Sequence, residues 1–201
     1  MLSKKFEEAF LLANNLHKNQ TRNRWPAPYI CHPIGVASLV LEYHGNENEA
    51  IAGLLHDVLE DQWYPNLDNE LLQQFGTNVF GFINNCTDWY PGRYSLFRDT
   101  KKPEWKLRKE NYLFRISTPS NEDDFQTSYL TIAADKLYNI RSIIKDFRIQ
   151  GKNIFENGRP ADQIIWYYTN IIKTFQSINI QLWPVIQELT RTVDEFIDLI
   201  Q

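Results

Sequence analysis

The sequence predicts an all-α protein. Apolar residues recur at three- and four-residue steps through most of the chain, no segment alternates as a half-buried strand does, and Pro33, Gly45-Asn46, Pro103 and Pro184 fall where the periodic runs begin or end. The first run, 6–16, keeps an amphipathic rhythm from Phe6 to Leu16. The second, 34–41, is entered through Pro33, which a first helical turn tolerates, and is closed by Gly45-Asn46. A third, 51–59, sets Ile51, Leu54, Leu55, Val58 and Leu59 on one core-facing stripe. A shorter run covers 79–83, and 105–116 follows Pro103. In 130–144 the stripe is Leu130, Ala133, Ala134, Leu137 and Ile140; two more runs, 164–175 and 185–200, complete the chain, the last behind Pro184. The connections 88–103 and 150–160 are too rich in aromatic or basic residues to be inert linkers.

With 201 residues and 43% apolar content the chain reads as one domain, 1–201, with a core over about 5–175 and a C-terminal helical extension, 176–201. That extension is expected to pack on the domain itself, a second subunit in a homo-oligomer being the alternative. The N-terminal stretch "MLSKKFEEAFLLANNLHKN" is charged from its fourth residue and no apolar run approaches membrane-spanning length, so a cytoplasmic protein is expected. Cys31 and Cys86 fit neither a zinc spacing nor a disulfide framework and read as buried thiols. A net charge of −4 argues against nucleic acid or anionic membrane as partner and leaves room for a local basic pocket that takes a small molecule.

The chemistry begins at "LLHDVLEDQ", 54–62. His56, Asp57, Glu60 and Asp61 follow a turn, Ala50 to Leu55, without one polar side chain, as in a helix packed on all sides. A solvated face is the common reading of His-Asp; here four ionisable groups on a buried helix call for a partner that offsets their desolvation, and a metal ion does so. In "YLTIAADKLYNIRSI", Asp135 follows two small residues that admit a neighbouring helix, and Asn139 lies one turn on. In "PYICHPIGV", His32 stands at a helix start. His32, His56, Asp57 and Asp135 together offer two imidazoles and two carboxylates without thiolate. That set suits Mn²⁺, Mg²⁺ or Fe²⁺ in an open six-coordinate site better than structural Zn²⁺. A two-metal arrangement would need more histidines, and none follows residue 56, so one ion is expected.

These segments resemble the HD-domain metal-dependent phosphohydrolases, and within them the Rel/SpoT-type hydrolases and small alarmone hydrolases that remove the 3′-pyrophosphate of guanosine tetra- and pentaphosphate. The similarity runs in order through "HKNQTR" (17–22), "PYICHP", "LLHDVLEDQ", "CTD" (86–88), "RKENY" (108–112), "AADKLYNIR" (133–141) and "WYY" (166–168), about residues 5 to 175. The resemblance implies an HD-domain helical bundle with additional C-terminal helices. It also implies one divalent ion, usually manganese, on His32, His56, Asp57 and Asp135. By the same resemblance Glu60 and Asp61 orient or deprotonate the attacking water, Asn139 lies beside the nucleotide sugar and Arg22 reaches substrate. Asn23 and Arg24 stand where the family has Lys and Gly, and Tyr138 where His is more frequent.

A polyanionic nucleotide requires cations, for which the candidates are Arg22, Arg24, Lys101, Lys102, Lys106, Arg108 and Lys109. Tyr29, Trp89, Tyr90 and Tyr94 are candidates for purine stacking, though such aromatics more often pack the core. His17 and His44 read as structural. The expected activity is (p)ppGpp 3′-pyrophosphate hydrolysis. The alternatives are an HD nucleotidase acting on a deoxynucleotide or NADPH, and an antitoxin-like or regulatory nucleotide-binding protein.

Overall fold

Ser3 opens the first helix by accepting a hydrogen bond on its side chain from the Lys5 amide, which satisfies one of the amides a helix start leaves unpaired. The computed structural model describes residues 1–22, 26–91, 102–118, 128–156, 158–178, 180 and 183–201. Among them the elements are α1 (Lys4–His17), α2 (Cys31–Glu42), α3 (Glu47–Leu55), α4 (Val58–Asp61), α5 (Leu67–Cys86), α6 (Trp105–Ser117), α7 (Ser128–Gln150), α8 (Asn153–Glu156), α9 (Ala161–Ser177) and α10 (Pro184–Ile200). An isolated bridge between Thr21 and Pro28 is the only β pairing among these residues. The all-α expectation holds. No helix among them is long and apolar enough to cross a membrane.

Two apolar clusters fill the interior. Ala9, Ala13, Ile51, Leu54, Leu55, Leu71 and Phe75 join α1, α3 and α5. Ala133, Leu137, Ile140, Ile171, Phe175 and Phe196 join α7 to α9 and α10. The stripe predicted on 130–144 is buried as expected, and α7 packs on α2, α3, α5 and α10. α3 is capped by a reciprocal pair, the Asn46 side chain accepting from the Glu49 amide and the Glu49 carboxylate from the Asn46 amide. From Glu49 to Leu55 every residue of α3 is buried, as the unbroken apolar run predicted.

Several expectations need correction. The helix read over 51–59 is interrupted at His56-Asp57, where Asp57 has φ −93° and ψ −6°. The break leaves α4 as a separate turn. α5 extends far upstream of 79–83: Leu67, Leu71 and Phe75 are buried at four-residue steps, and the chain kinks at Gly76, whose φ of +83° only glycine adopts without strain. Part of 150–160 forms the short α8. Pro33 lies inside the first turn of α2 and Pro184 begins α10, whereas Pro103 precedes α6 by two residues. Cys86 is buried but Cys31, at the solvent-facing start of α2, is exposed. The C-terminal helix packs in cis, burying Val185, Ile186, Leu189, Val193 and Phe196 against α7 and α9.

Candidate active site

Where α2 crosses α3, Gly53 allows the backbones to approach so closely that a β-carbon there would lie 3.1 Å from Ala37 Cα. That approach brings His32, on the first turn of α2, to His56, just past the end of α3, with their Nε2 atoms 3.0 Å apart. Asp57 Oδ2 lies 3.2 Å from His32 Nε2 and 3.1 Å from His56 Nε2. From α7, Asp135 Oδ1 lies 3.2 Å and 3.5 Å from the same two nitrogens. Both carboxylates thus lie within 3.5 Å of the two imidazole nitrogens, and the ligand atoms of His32, His56 and Asp135 lie within 4.8 Å of one another.

The donor set fits a divalent ion. His56 Nδ1 lies 2.8 Å from the Gly53 carbonyl, which only accepts, so Nδ1 carries the proton and Nε2 presents its lone pair inward. His32 Nδ1 is buried without a hydrogen-bond partner, so protein hydrogen bonding leaves this ring incompletely satisfied. Two imidazole nitrogens and two carboxylate oxygens are a mixed set for a borderline-hard cation. His32, His56 and Asp135 are all nine-tenths or more buried. Without an ion the cluster stabilises itself by proton sharing: burial alone would depress the His56 imidazole, but Asp57 and Asp135 hold its pKa well above the usual value. Burial likewise opposes ionisation of Asp57, and the two imidazoles hold its carboxyl well below the ordinary range. At Asp135, Lys136 and then the imidazoles overcome burial in the same direction.

Supporting bonds fix the carboxylates. Tyr29 donates its hydroxyl to Asp57 Oδ2 at 2.6 Å, and Asn139 donates its amide to Asp135 Oδ1 at 2.5 Å. Arg22 in turn donates to Asn139 Oδ1 at 2.7 Å. Lys136 contacts the other oxygen of Asp135. Gln20 donates to Asp61 Oδ2 at 2.8 Å while its carbonyl is held by Gln62 at 2.6 Å and lies 2.7 Å from His17 Nδ1. Glu60 accepts from the Asp88 amide at 2.7 Å. Burial, reinforced by the Asp88 charge, pushes the Glu60 carboxyl up to about 7, with Lys109 opposing.

These groups border a cavity of about 410 Å³. His32, Asp57, Asp135, Glu60 and Asp61 line it, together with Arg22, Lys109 and Asn139. Arg108 stands behind the wall, donating to both oxygens of Asp88 at 2.6 and 2.5 Å and to the Pro103 carbonyl at 3.1 Å. Arg24, Lys101 and Tyr94 lie outside the described residues. Tyr29 lines the cavity and stacks on His17 with centroids 4.7 Å apart, while Trp89 and Tyr90 are buried elsewhere. His44 is exposed. Sequence reasoning did not single out Trp105, Lys136, Asp146, Arg159 or Ile164, all of which line the cavity. The "WYY" segment pointed to Tyr167 and Tyr168 only as a string, whereas the fold sets both on the wall.

The HD-domain family model matches residues 9–156. The bifunctional (p)ppGpp synthase/hydrolase SpoT of Escherichia coli K12 is 30% identical over 140 residues, 70% of this chain and 18% of that protein. A guanosine-3′,5′-bis(diphosphate) 3′-pyrophosphohydrolase of Haemophilus influenzae is 38% identical over 77 residues, 38% of this chain and 11% of that one. The chain thus spans less than a fifth of the length of these curated relatives. Among solved structures, that of a metazoan SpoT orthologue that hydrolyses ppGpp superposes with a TM-score of 0.73 at 22% identity, covering 98% of this chain and 97% of the other, and so shares its fold.

Proposed function

The chain belongs to the HD-domain family, and on that premise we propose that it is a divalent-metal-dependent phosphohydrolase that removes the 3′-pyrophosphate of guanosine tetra- and pentaphosphate. The observation that carries this reading is the approach of the Asp57 and Asp135 carboxylates to within 3.5 Å of the His32 and His56 Nε2 atoms, themselves 3.0 Å apart, beside a cavity lined by His32, Asp57, Asp135 and Glu60. His32, His56, Asp57 and Asp135 hold one ion, Mn²⁺ being the best match to the family. When bound, such an ion lowers the pKa of water and withdraws charge from phosphoryl oxygens.

The remaining steps belong to side chains. Water oxygen bonds to the phosphorus that bears the 3′ oxygen, the P–O3′ bond breaks, and the ribose oxygen leaves as a hydroxyl, giving GDP or GTP and pyrophosphate. Glu60, its carboxyl near pH 7, accepts the proton of the attacking water. Asp61 is held by Gln20 to orient that water. Arg22 and Asn139, joined by a 2.7 Å hydrogen bond, face the sugar, and Lys109 supplies positive charge to the phosphates. Arg108 acts through Asp88 by fixing the loop that borders Glu60.

The test is turnover of a panel by the Mn²⁺-loaded protein: guanosine tetraphosphate, guanosine pentaphosphate, deoxynucleotides and NADPH, with products separated by ion exchange. Pyrophosphate released from the guanosine compounds alone is expected. Turnover confined to deoxynucleotides or NADPH would replace the substrate, and none on any compound would overturn the reading.

A further inference from the structure

Beside the His–Asp cluster the cavity wall carries Lys109, Lys136 and Tyr167, with the buried Tyr112 ring packed near both lysines. Lys109 Nζ lies 5.2 Å from the Tyr167 ring centroid and 5.8 Å from that of Tyr112; Lys136 Nζ lies 5.8 Å and 5.4 Å from the same two rings. Tyr167, Lys109 and Lys136 all line the cavity. Tyr167 is 6% exposed, and its hydroxyl is buried without a hydrogen-bond partner. A buried hydroxyl left unpaired costs stability in the free protein, and in a binding site it is the mark of a group whose partner is a ligand.

The charges call for the same ligand. Asp88 receives both Arg108, at 2.5 Å, and Lys109, at 2.7 Å, so Lys109 shares its carboxylate partner with a second cation and keeps N–H donors for a ligand. Lys136 contacts Asp135 through one of its three N–H donors. An anion with several oxygens satisfies this arrangement, because it accepts from both ammonium groups and from the hydroxyl. We infer that the Tyr167 hydroxyl, with Lys109 and Lys136, forms a subsite for the pyrophosphate group of the substrate. The inference rests on the proposed function for its placement next to the reacting phosphorus, but the chemistry it requires is that of a diphosphate, whatever nucleoside carries it.

Tyr167→Phe removes one oxygen and keeps the ring against Trp105 and the lysines. The experiment is calorimetric titration of inorganic pyrophosphate into wild-type and Tyr167→Phe protein, both Mn²⁺-loaded, with thermal unfolding of each. Affinity is expected to fall about tenfold or more, the worth of one hydrogen bond to a charged group. Tm is expected to stay level or rise, because the hydroxyl has no partner to lose. Equal pyrophosphate affinity in the two proteins, or no binding by the wild type, would overturn the subsite, and so would a drop in Tm, which assigns the hydroxyl a structural bond. Turnover of the nucleotide panel by wild-type protein is read separately, so a wrong substrate and a wrong subsite give different results.

Discussion

Replacing Gly53 by alanine tests how the fold builds the site. The added methyl would sit 3.1 Å from Ala37 Cα and 3.2 Å from Ala37 N, both backbone atoms of α2 that cannot rotate away. Alanine gains about 1 kcal/mol of helix propensity over glycine, and overpacking a tight core costs about 1–3 kcal/mol. The net is about 0–2 kcal/mol of lost stability, a fall in Tm of up to about 8 °C for a chain of this size. The larger effect falls on the site. Relief of the contact moves α2 from α3 by a few tenths of an ångström and widens the 3.0 Å His32–His56 separation, while the Gly53 carbonyl that orients His56 moves with its helix. Mn²⁺ affinity is therefore expected to fall about tenfold, within the range seen when supporting groups of a metal site are disturbed. Thermal unfolding of metal-free protein and calorimetric Mn²⁺ titration read the two effects independently. A Tm raised by the full propensity gain, with Mn²⁺ affinity unchanged, would refute the claim that this helix approach sets the ligand spacing.

Glu60 ionises as pH rises through about 7, so kcat/KM should climb about tenfold per pH unit below 7 and level above it. Glu60→Gln should remove that limb and lower kcat by about 10²–10⁴-fold with Mn²⁺ affinity retained; a pH profile unchanged in the variant would exclude Glu60 as the base. Tyr29→Phe deletes the 2.6 Å bond to Asp57 and should weaken Mn²⁺ binding about 10- to 100-fold by titration, an unaltered affinity showing that the bond does not tune the ligand. Chelation of the ion should lower Tm reversibly, by an amount that grows with the Mn²⁺ concentration used for loading, and His56→Ala should be insensitive to chelator.

The helices with long, regular apolar spacing were legible because burial of one face is a local property of sequence. The stripe on α7 and the sealed surface of α3 could be read directly. The first half of α5 was missed because polar residues crowd Leu67, Leu71 and Phe75, and the Gly76 kink divides the pattern. Periodicity also carried a single helix through His56-Asp57, because both residues keep αR backbone angles and the interruption there leaves no mark in the apolar spacing. At the site, the residues flagged by type and position, Arg22, His32, Asp57 with Glu60 and Asp61, Lys109, and Asp135 with Asn139, came from five separate stretches that the fold gathers around one cavity. Ion-pair partners were not legible: nothing local tells that Asp88 takes up Arg108 and Lys109, or that Lys136 is buried against Asp135. Orphaned hydroxyls such as that of Tyr167 exist only in three dimensions.

The most direct test of the account is to titrate metal-free protein with Mn²⁺ while following GDP and pyrophosphate release from guanosine tetraphosphate. The account predicts activity that rises linearly and breaks at one ion per chain, with no activity at any Mn²⁺ concentration in His56→Ala. Turnover before any metal is added, a break at two ions, or full activity in His56→Ala would contradict a single ion held by His32, His56, Asp57 and Asp135.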